Sequence, residues 1–324
     1  MSRRYRVVSA GAGLPHHDRE VEVLADIADI VFLGAPPRDE LYDAVAEADV
    51  MLTELTPVDG DLLDRAPKLR GVVVYGVGTE KVDLNAAKER GVVVAHTPDA
   101  FTSEVAEHAI ALLLALARCV TDSDADVRVR HLWRTYDDTF QPRRLRGSTL
   151  GVLGYGRIGR ATAALAAGFG MRLVVFDPFI PAERLTPPSG AEMRVASDFN
   201  DLLASVDALT VHVPLTDDTR NMLGAPQFAR MRRGALLINV SRGGIVDHHA
   251  LQRALASGAL GGAGLDVFET EPPDFDHPLL REPNLIVTPH IAWKSETAAL
   301  DCELAAVAEV RRILLGDEPQ HRVI

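Results

Sequence analysis

The stretch TLGVLGYGRIGRATAALAAGFGMRLVVFDP, residues 149–178, admits few folds. An apolar run enters Gly154-Tyr-Gly156-Arg-Ile-Gly159, an alanine-rich helical pattern follows, and a second apolar run ends at Asp177, 18 residues after Gly159. Strand, glycine turn, helix, strand and acid in that order form a βαβ unit that binds a dinucleotide. Gly154 permits the tight turn, Gly156 lets backbone approach a pyrophosphate, and Gly159 allows close helix-to-strand packing, while the helix N–H groups face the anion. A carboxylate at Asp177 suits two free ribose hydroxyls and repels a 2′-phosphate, so NAD is expected rather than NADP. A glycine-rich turn in some other α/β protein is the bland alternative, and the full context argues against it.

The rest of the chain repeats this alternation. YRVVSA, DIVFLG, DVMLTEL, GVVVYG and GVVVAH occupy the first hundred residues, separated by helical patterns such as DELYDAVAEA. A second series, TLGVLGYG, MRLVVFD, ALTVHVP, ALLINVS, GAGLDVF and NLIVTPH, follows a charged, turn-rich stretch. Such alternation predicts two α/β units with parallel sheets. Between them TSEVAEHAIALLLALARCV is apolar around so much of its circumference that burial on several sides is expected. A last helix, roughly SETAALDCELAAVAEVRRILLGD, follows the second sheet and is placed to return to the first unit.

Composition removes several classes. With 34 basic and 46 acidic side chains in 324 residues the net charge is −12, and no basic block offers a footprint for nucleic acid. Cys119 and Cys302 are too few for a disulfide framework or a metal cluster, which fits a reducing cytoplasm. MSRRYRVVSAGAG lacks the apolar stretch of a signal peptide, and the longest apolar run, Ala109 to Ala117, is about half a membrane span. The expectation is a cytoplasmic protein that neither enters a membrane nor binds nucleic acid.

Three residues bear chemistry. Arg242 follows ALLIN, Glu271 follows GAGLDV, and His290 follows NLIV, each beyond the carboxyl end of a predicted strand, where open α/β sheets place ligands. Hydride transfer to a 2-oxo acid needs a cation for the carboxylate, an acid to protonate the developing alkoxide, and a group that tunes that acid. A forked guanidinium, an imidazole and a carboxylate fit those roles. Singly, Arg242 also reads as a surface ion-pair residue, Glu271 as a solvated loop acid before two prolines, and His290 as a structural histidine. Their shared placement favours the joint reading.

GYGRIG, FDP, HVPLT, NVSRGGIVD, GLDVFETEPP and TPHIAW resemble, in order and spacing, the D-isomer-specific 2-hydroxyacid dehydrogenases over nearly the whole chain. The resemblance implies a Rossmann NAD-binding domain over residues 102–293, a flavodoxin-like α/β substrate domain from 1–101 with 294–324, and a homodimer joined through the helix and loop after the first domain. It implies that Arg242 binds substrate, that His290 is the acid/base, and that Glu271 pairs with it. Around the cofactor it places Arg157 and Ile158 at the pyrophosphate, Val240 and Ser241 at the ribose and ring, and Asp266 at the nicotinamide. His212, Pro214, His290 and Ala292 join these through HVPLT and TPHIAW, and Thr219 through the DDT that follows HVPLT. In VYGVGTEKVD, Val77 and Gly78 match the loop whose N–H groups hold the substrate carboxylate, with Tyr75 beside it. The tail is most similar to the branch of C-terminal-binding corepressors and hydroxypyruvate- and glycerate-type enzymes, except that Lys294 stands where that branch often has tyrosine.

The resulting expectation is interconversion of a small 2-oxo acid and a D-2-hydroxy acid with NAD. The loop LTELTPVDGD lacks the basic residues of relatives that bind phosphorylated substrates. An NAD-responsive protein-binding module and a dehydrogenase of another small anion such as phosphite are the alternatives. Trp293 reads equally as a core aromatic anchoring the last helix or as a wall of the substrate pocket. No metal is expected: His16–His17 and His248–His249 lack further ligands at suitable spacing and read as solvated pairs, and Asp247 reads as a helix N-cap.

Overall fold

The computed structural model describes residues 4–11, 18–135 and 141–324. They form two compact units: one runs up to Phe101 and resumes at Lys294, and the other spans Thr102–Trp293.

The first unit is a parallel sheet of β1 (Tyr5–Ala10), β2 (Ala28–Gly34), β3 (Val50–Thr53), β4 (Gly71–Val74) and β5 (Val93–His96), in the order β2-β1-β3-β4-β5. This is the flavodoxin-like order, with a switch of direction beside β1. VMLT and GVVV are buried at every position, as strands covered on both faces must be. The helix Ala298–Leu315 packs on β3, β4 and β5, so the C-terminal segment completes this unit's core. Asp59 and Asp83 accept from Leu62 and Ala86 N–H and cap the helices that follow β3 and β4.

The second unit is a parallel sheet of β6 (Thr149–Leu153), β7 (Arg172–Phe176), β8 (Met193–Val195), β9 (Ala208–Val211), β10 (Ala235–Asn239), β11 (Leu260–Leu265) and β12 (Leu285–Val287). Its order is β12-β11-β10-β9-β6-β7-β8. The direction of winding reverses between β6 and β9, the topological switch point where Rossmann folds bind ligands. β8 is not legible in the sequence because MRV is interrupted by an arginine and gives no apolar run, whereas the equally short edge strand β12 reads as LIV. Asp247 accepts from Ala250 N–H and caps the helix His248–Ala256, as its position predicts.

The broad apolar helix, Thr102–Ala117, lies against β10, β11 and the helix Arg157–Gly168. Its approach explains Gly264 in β11, LGGAGL. A Cβ at Gly264 would stand 2.9 Å from Leu112 Cβ, so this strand meets the helix almost backbone to side chain. Gly264→Val should therefore overpack the contact and lower unfolding stability by about 1–3 kcal/mol in a denaturant titration. A variant as stable as the parent would show that the helix does not press on β11.

Candidate active site

β6 delivers the glycine turn. Gly154 has φ +89°, and a Cβ there would come within 2.6 Å of the His212 carbonyl oxygen, so only glycine fits. At Gly159 a Cβ would run into the Gly154 carbonyl, whereas at Gly156 it would meet nothing within 4 Å. Gly156 and Arg157 are exposed and Ile158 partly so, leaving the first turn of the helix Arg157–Gly168 open to an anion. The Asp177 carboxylate accepts from Tyr155 N–H at 2.8 Å and Phe179 N–H at 3.0 Å, which ties the end of β7 to the glycine turn. Each of its oxygens keeps a further lone pair for a ribose hydroxyl. The unit thus fits a dinucleotide with two free adenine-ribose hydroxyls.

On the other side of the switch point, burial pushes the His212 imidazole down to about 3, so it is neutral at physiological pH; its Nε2 pairs with Thr210 Oγ1 at 2.9 Å. Thr219 Oγ1 donates to the carbonyl of Pro214 at 2.7 Å and closes the turn between them. Val240 is buried, and Ser241 Oγ donates to the Val213 carbonyl at 2.6 Å, joining the loops after β9 and β10. The side chains of Thr219 and Ser241 thus organise the loops that the resemblance assigns to the cofactor.

The three candidate chemical residues lie together at the carboxyl edge of this sheet. His290 Nδ1 and Glu271 Oε2 are 2.6 Å apart, and Glu271 Oε1 accepts from Phe268 N–H at 2.9 Å. The hydrogen bond to Glu271 raises the His290 imidazole above its ordinary value, against burial and the nearby Arg242 charge. Burial works to raise the Glu271 carboxyl, but the hydrogen bonds from His290 and Phe268, with the His290 and Arg242 charges, hold it below the usual carboxylate range. Arg242 starts the short turn Gly243–Ile245, and one guanidinium nitrogen donates to the Ser241 carbonyl at 2.8 Å. Its electrostatic effect on both partners places it in the same cluster.

Asp266, at the end of β11 and 1% exposed, holds the segment that carries His290. Its carboxylate accepts from Thr288 Oγ1 at 2.6 Å, Ile291 N–H at 2.9 Å and Ala292 N–H at 2.8 Å, and its carbonyl accepts from His290 N–H at 2.8 Å. His290 itself sits at φ +54°, a left-handed conformation uncommon for a residue with a side chain, typically costing of order 1–3 kcal/mol. Four hydrogen bonds to one residue offset that cost. Ala292 is buried, and Trp293 is half-buried.

In the first unit the assignments divide. Val77 is 42% exposed, and among the described residues neither the Val77 nor the Gly78 N–H donates to a protein acceptor, which leaves both to an anion. Tyr75, expected at the substrate beside this loop, lies in the core. Its ring is buried and its hydroxyl lies against Glu20 and, at 3.4 Å, Ser9. Burial and the Glu20 charge push the phenol well above its ordinary range, so Tyr75 acts as a neutral core residue. Nothing near Tyr75 in the sequence announces Glu20, 55 residues away.

The histidine pairs need one correction. His249 is exposed, its ring tilted against that of His277 with centroids 4.8 Å apart, but His248 is half-buried with its ring edge-on to Phe268 at 5.5 Å, so the pair is not simply solvated. No group of three or more possible metal ligands occurs among the described residues. The pair His16–His17 lies outside them.

A Rossmann sheet with an open glycine turn, and an Arg–Glu–His cluster at its carboxyl edge, defines the class of NAD-binding α/β proteins. Residues 110–292 match the family model for the D-isomer specific 2-hydroxyacid dehydrogenase NAD binding domain. A glyoxylate reductase of Thermococcus litoralis is 41% identical over 272 residues, 82% of this chain and 80% of that protein. A D-3-phosphoglycerate dehydrogenase of Methanocaldococcus jannaschii is 36% identical over 304 residues, 94% of this chain and 57% of its own length. The chain spans a little over half the length of that relative. The crystal structure of a D-lactate dehydrogenase from Aquifex aeolicus complexed with NAD and lactic acid superposes with a TM-score of 0.87 at 27% identity, covering 98% of each chain. The chain belongs to the D-isomer specific 2-hydroxyacid dehydrogenase family and carries its NAD-binding domain.

Replacing Glu271 with glutamine keeps an acceptor for Phe268 but removes the charge that favours imidazolium. In Glu271→Gln the His290 imidazole should titrate at lower pH than in the parent, read from its ring resonances by NMR. An unmoved titration would mean that the carboxylate does not tune His290.

Proposed function

We propose that this protein interconverts a small, unphosphorylated 2-oxo acid and the corresponding D-2-hydroxy acid, using NAD. The observation that carries this reading is the 2.6 Å His290–Glu271 pair within the field of Arg242. NADH, when bound, supplies the hydride. Arg242 holds the substrate carboxylate and polarises the adjacent carbonyl; its planar fork matches a carboxylate in a way lysine would not. His290 enters reduction as imidazolium, its Nδ1–H anchored on Glu271, and gives the Nε2 proton to the carbonyl oxygen as negative charge builds there. Oxidation begins with neutral His290, which removes the hydroxyl proton through the same nitrogen.

The choice of an unphosphorylated substrate rests on two points. The glyoxylate reductase relative is matched over most of its length, and the segment Glu54–Asp61 after β3 carries Glu54, Asp59 and Asp61 but no basic side chain. The buried Cys302 thiol is pushed up to about 12 by burial, so it stays an inert thiol, in keeping with a reducing cytoplasm. No described helix is long and apolar enough to cross a membrane.

Imidazolium is the active form in reduction, and the Glu271 bond raises the His290 pKa. Reductive turnover should hold level at low pH and fall through a midpoint above the ordinary histidine value, while oxidation rises through the same midpoint. His290→Ala or Arg242→Ala should lose at least about a hundredfold in kcat/KM with NAD binding retained. An NADH-consumption assay over a panel of 2-oxo acids, with and without these substitutions, tests the reading. An equally active His290→Ala protein would sink the mechanism.

We further propose that the protein works as a homodimer through the segment that follows the helix Thr102–Ala117. Val120, Val127, Val129, Leu132 and Trp133 are exposed there, Trp133 by 81%, which is more apolar surface than a monomer usually leaves in one short stretch. Val129→Asp with Leu132→Asp should shift the mass in sedimentation equilibrium from dimer to monomer; a monomeric parent protein would exclude the arrangement.

A further inference from the structure

The Asp266 hydrogen bonds have an outer member that the chemistry above does not use. His108 lies on the helix Thr102–Ala117, with its Nε2 2.9 Å from Thr288 Oγ1 and 3.6 Å from Asp266 Oδ1. The direction of these bonds follows from what each group can do. An ionised carboxylate only accepts, so the Thr288 hydroxyl proton must point at Asp266 Oδ1. The Thr288 oxygen is then an acceptor towards His108, and the proton of that bond must reside on His108 Nε2. The order is His108 Nε2–H to Thr288 Oγ1–H to Asp266 Oδ1.

The same Asp266 oxygen also accepts from Ile291 N–H, and its neighbour accepts from Ala292 N–H. The orientation of this carboxylate therefore sets the two amides that follow His290 and, with the His290 N–H bond to the Asp266 carbonyl, its left-handed backbone. His108 is well supported for such a role. Its helix carries buried Val105, Ala109, Leu112 and Leu113 and packs so tightly on β11, the strand that leads into Asp266, that Gly264 has no room for a Cβ.

We propose that His108 is a positioning residue. From the helix, it fixes the Thr288 hydroxyl, through it the Asp266 carboxylate, and thereby the turn that aims the His290 ring. The kinetic consequence rests on the reading of His290 as acid/base; the structural consequence does not. No proton is transferred along the series: each group keeps its own and serves as donor or rigid acceptor.

The test compares His108→Leu, which removes the donor, with His108→Gln, whose amide nitrogen reaches as far as Nε2 and keeps an N–H. Thr288→Val is the independent variant, because it removes the hydroxyl at constant shape. Backbone hydrogen exchange at Ile291 and Ala292 should quicken roughly tenfold in His108→Leu and in Thr288→Val, and return close to the parent rate in His108→Gln. Reductive kcat should fall roughly tenfold in the first two with the KM for NADH within about twofold, and recover in His108→Gln. The double variant His108→Leu/Thr288→Val should be no worse than either single one, since both break the same series.

Unchanged exchange at Ile291 and Ala292, a His108→Gln protein as defective as His108→Leu, or additive losses in the double variant would each overturn the proposal. Faster exchange in a protein that turns over no 2-oxo acid, even before substitution, would support the positioning role and reject the enzymatic reading instead.

Discussion

Parallel pairing is the constraint from which the arrangement of this protein follows. A parallel strand cannot be reached by a tight hairpin, so each crossover must carry the chain back over the sheet, and successive strands then end at the same edge. In the larger unit this brings Gly154, Asp177, His212, Arg242, Asp266 and His290 to the ends of six strands that share one direction. The rest of the molecule supports that edge. Strands buried on both faces supply rigidity, and the reversal between β6 and β9 opens the place where a ligand can enter.

On that edge, close packing and electrostatics share the work. Glycine is required where backbone meets backbone, at Gly154 against His212 and at Gly159 against Gly154, and a free face is left at Gly156. Charge is arranged more finely. Glu271 favours the protonated form of His290, Arg242 favours the Glu271 carboxylate and opposes the imidazolium, and the net effect still raises the histidine. An imidazole suits this place because its ordinary value lies nearer neutrality than that of a carboxylate or a lysine, so a single partner is enough to bias its charge. The His290 backbone stands in a costly conformation, and Asp266 gathers the hydrogen bonds that make it the preferred one.

Much of this was legible along the chain because it rests on local rules. Short apolar runs bounded by glycine and acid marked the strands, and among the described residues only β8, broken by an arginine, escaped. The glycine spacing and Asp177 marked the cofactor turn, and the strand-end positions of Arg242, Glu271 and His290 marked the chemical cluster. Asp247 was recognisable as a cap because a cap bonds three residues on. What stayed hidden depends on partners distant in sequence. His108 and Thr288 are 180 residues apart, and neither carries a motif that connects them. Tyr75 looked like a pocket residue in its loop, yet Glu20 turns it into the core, and His248 lies against Phe268 rather than in solvent.

The amino-acid sequence by itself determined the two α/β units, the dinucleotide turn and the residue types available for hydride chemistry, since periodicity, glycine spacing and side-chain acidity are properties of the chain. Only the tertiary structure decided which of those groups touch. Hydrogen bonding requires approach to within about 3 Å, and packing alone brings His290 to Glu271, turns Tyr75 inward, and sets His108 behind the carboxylate that holds the histidine in place.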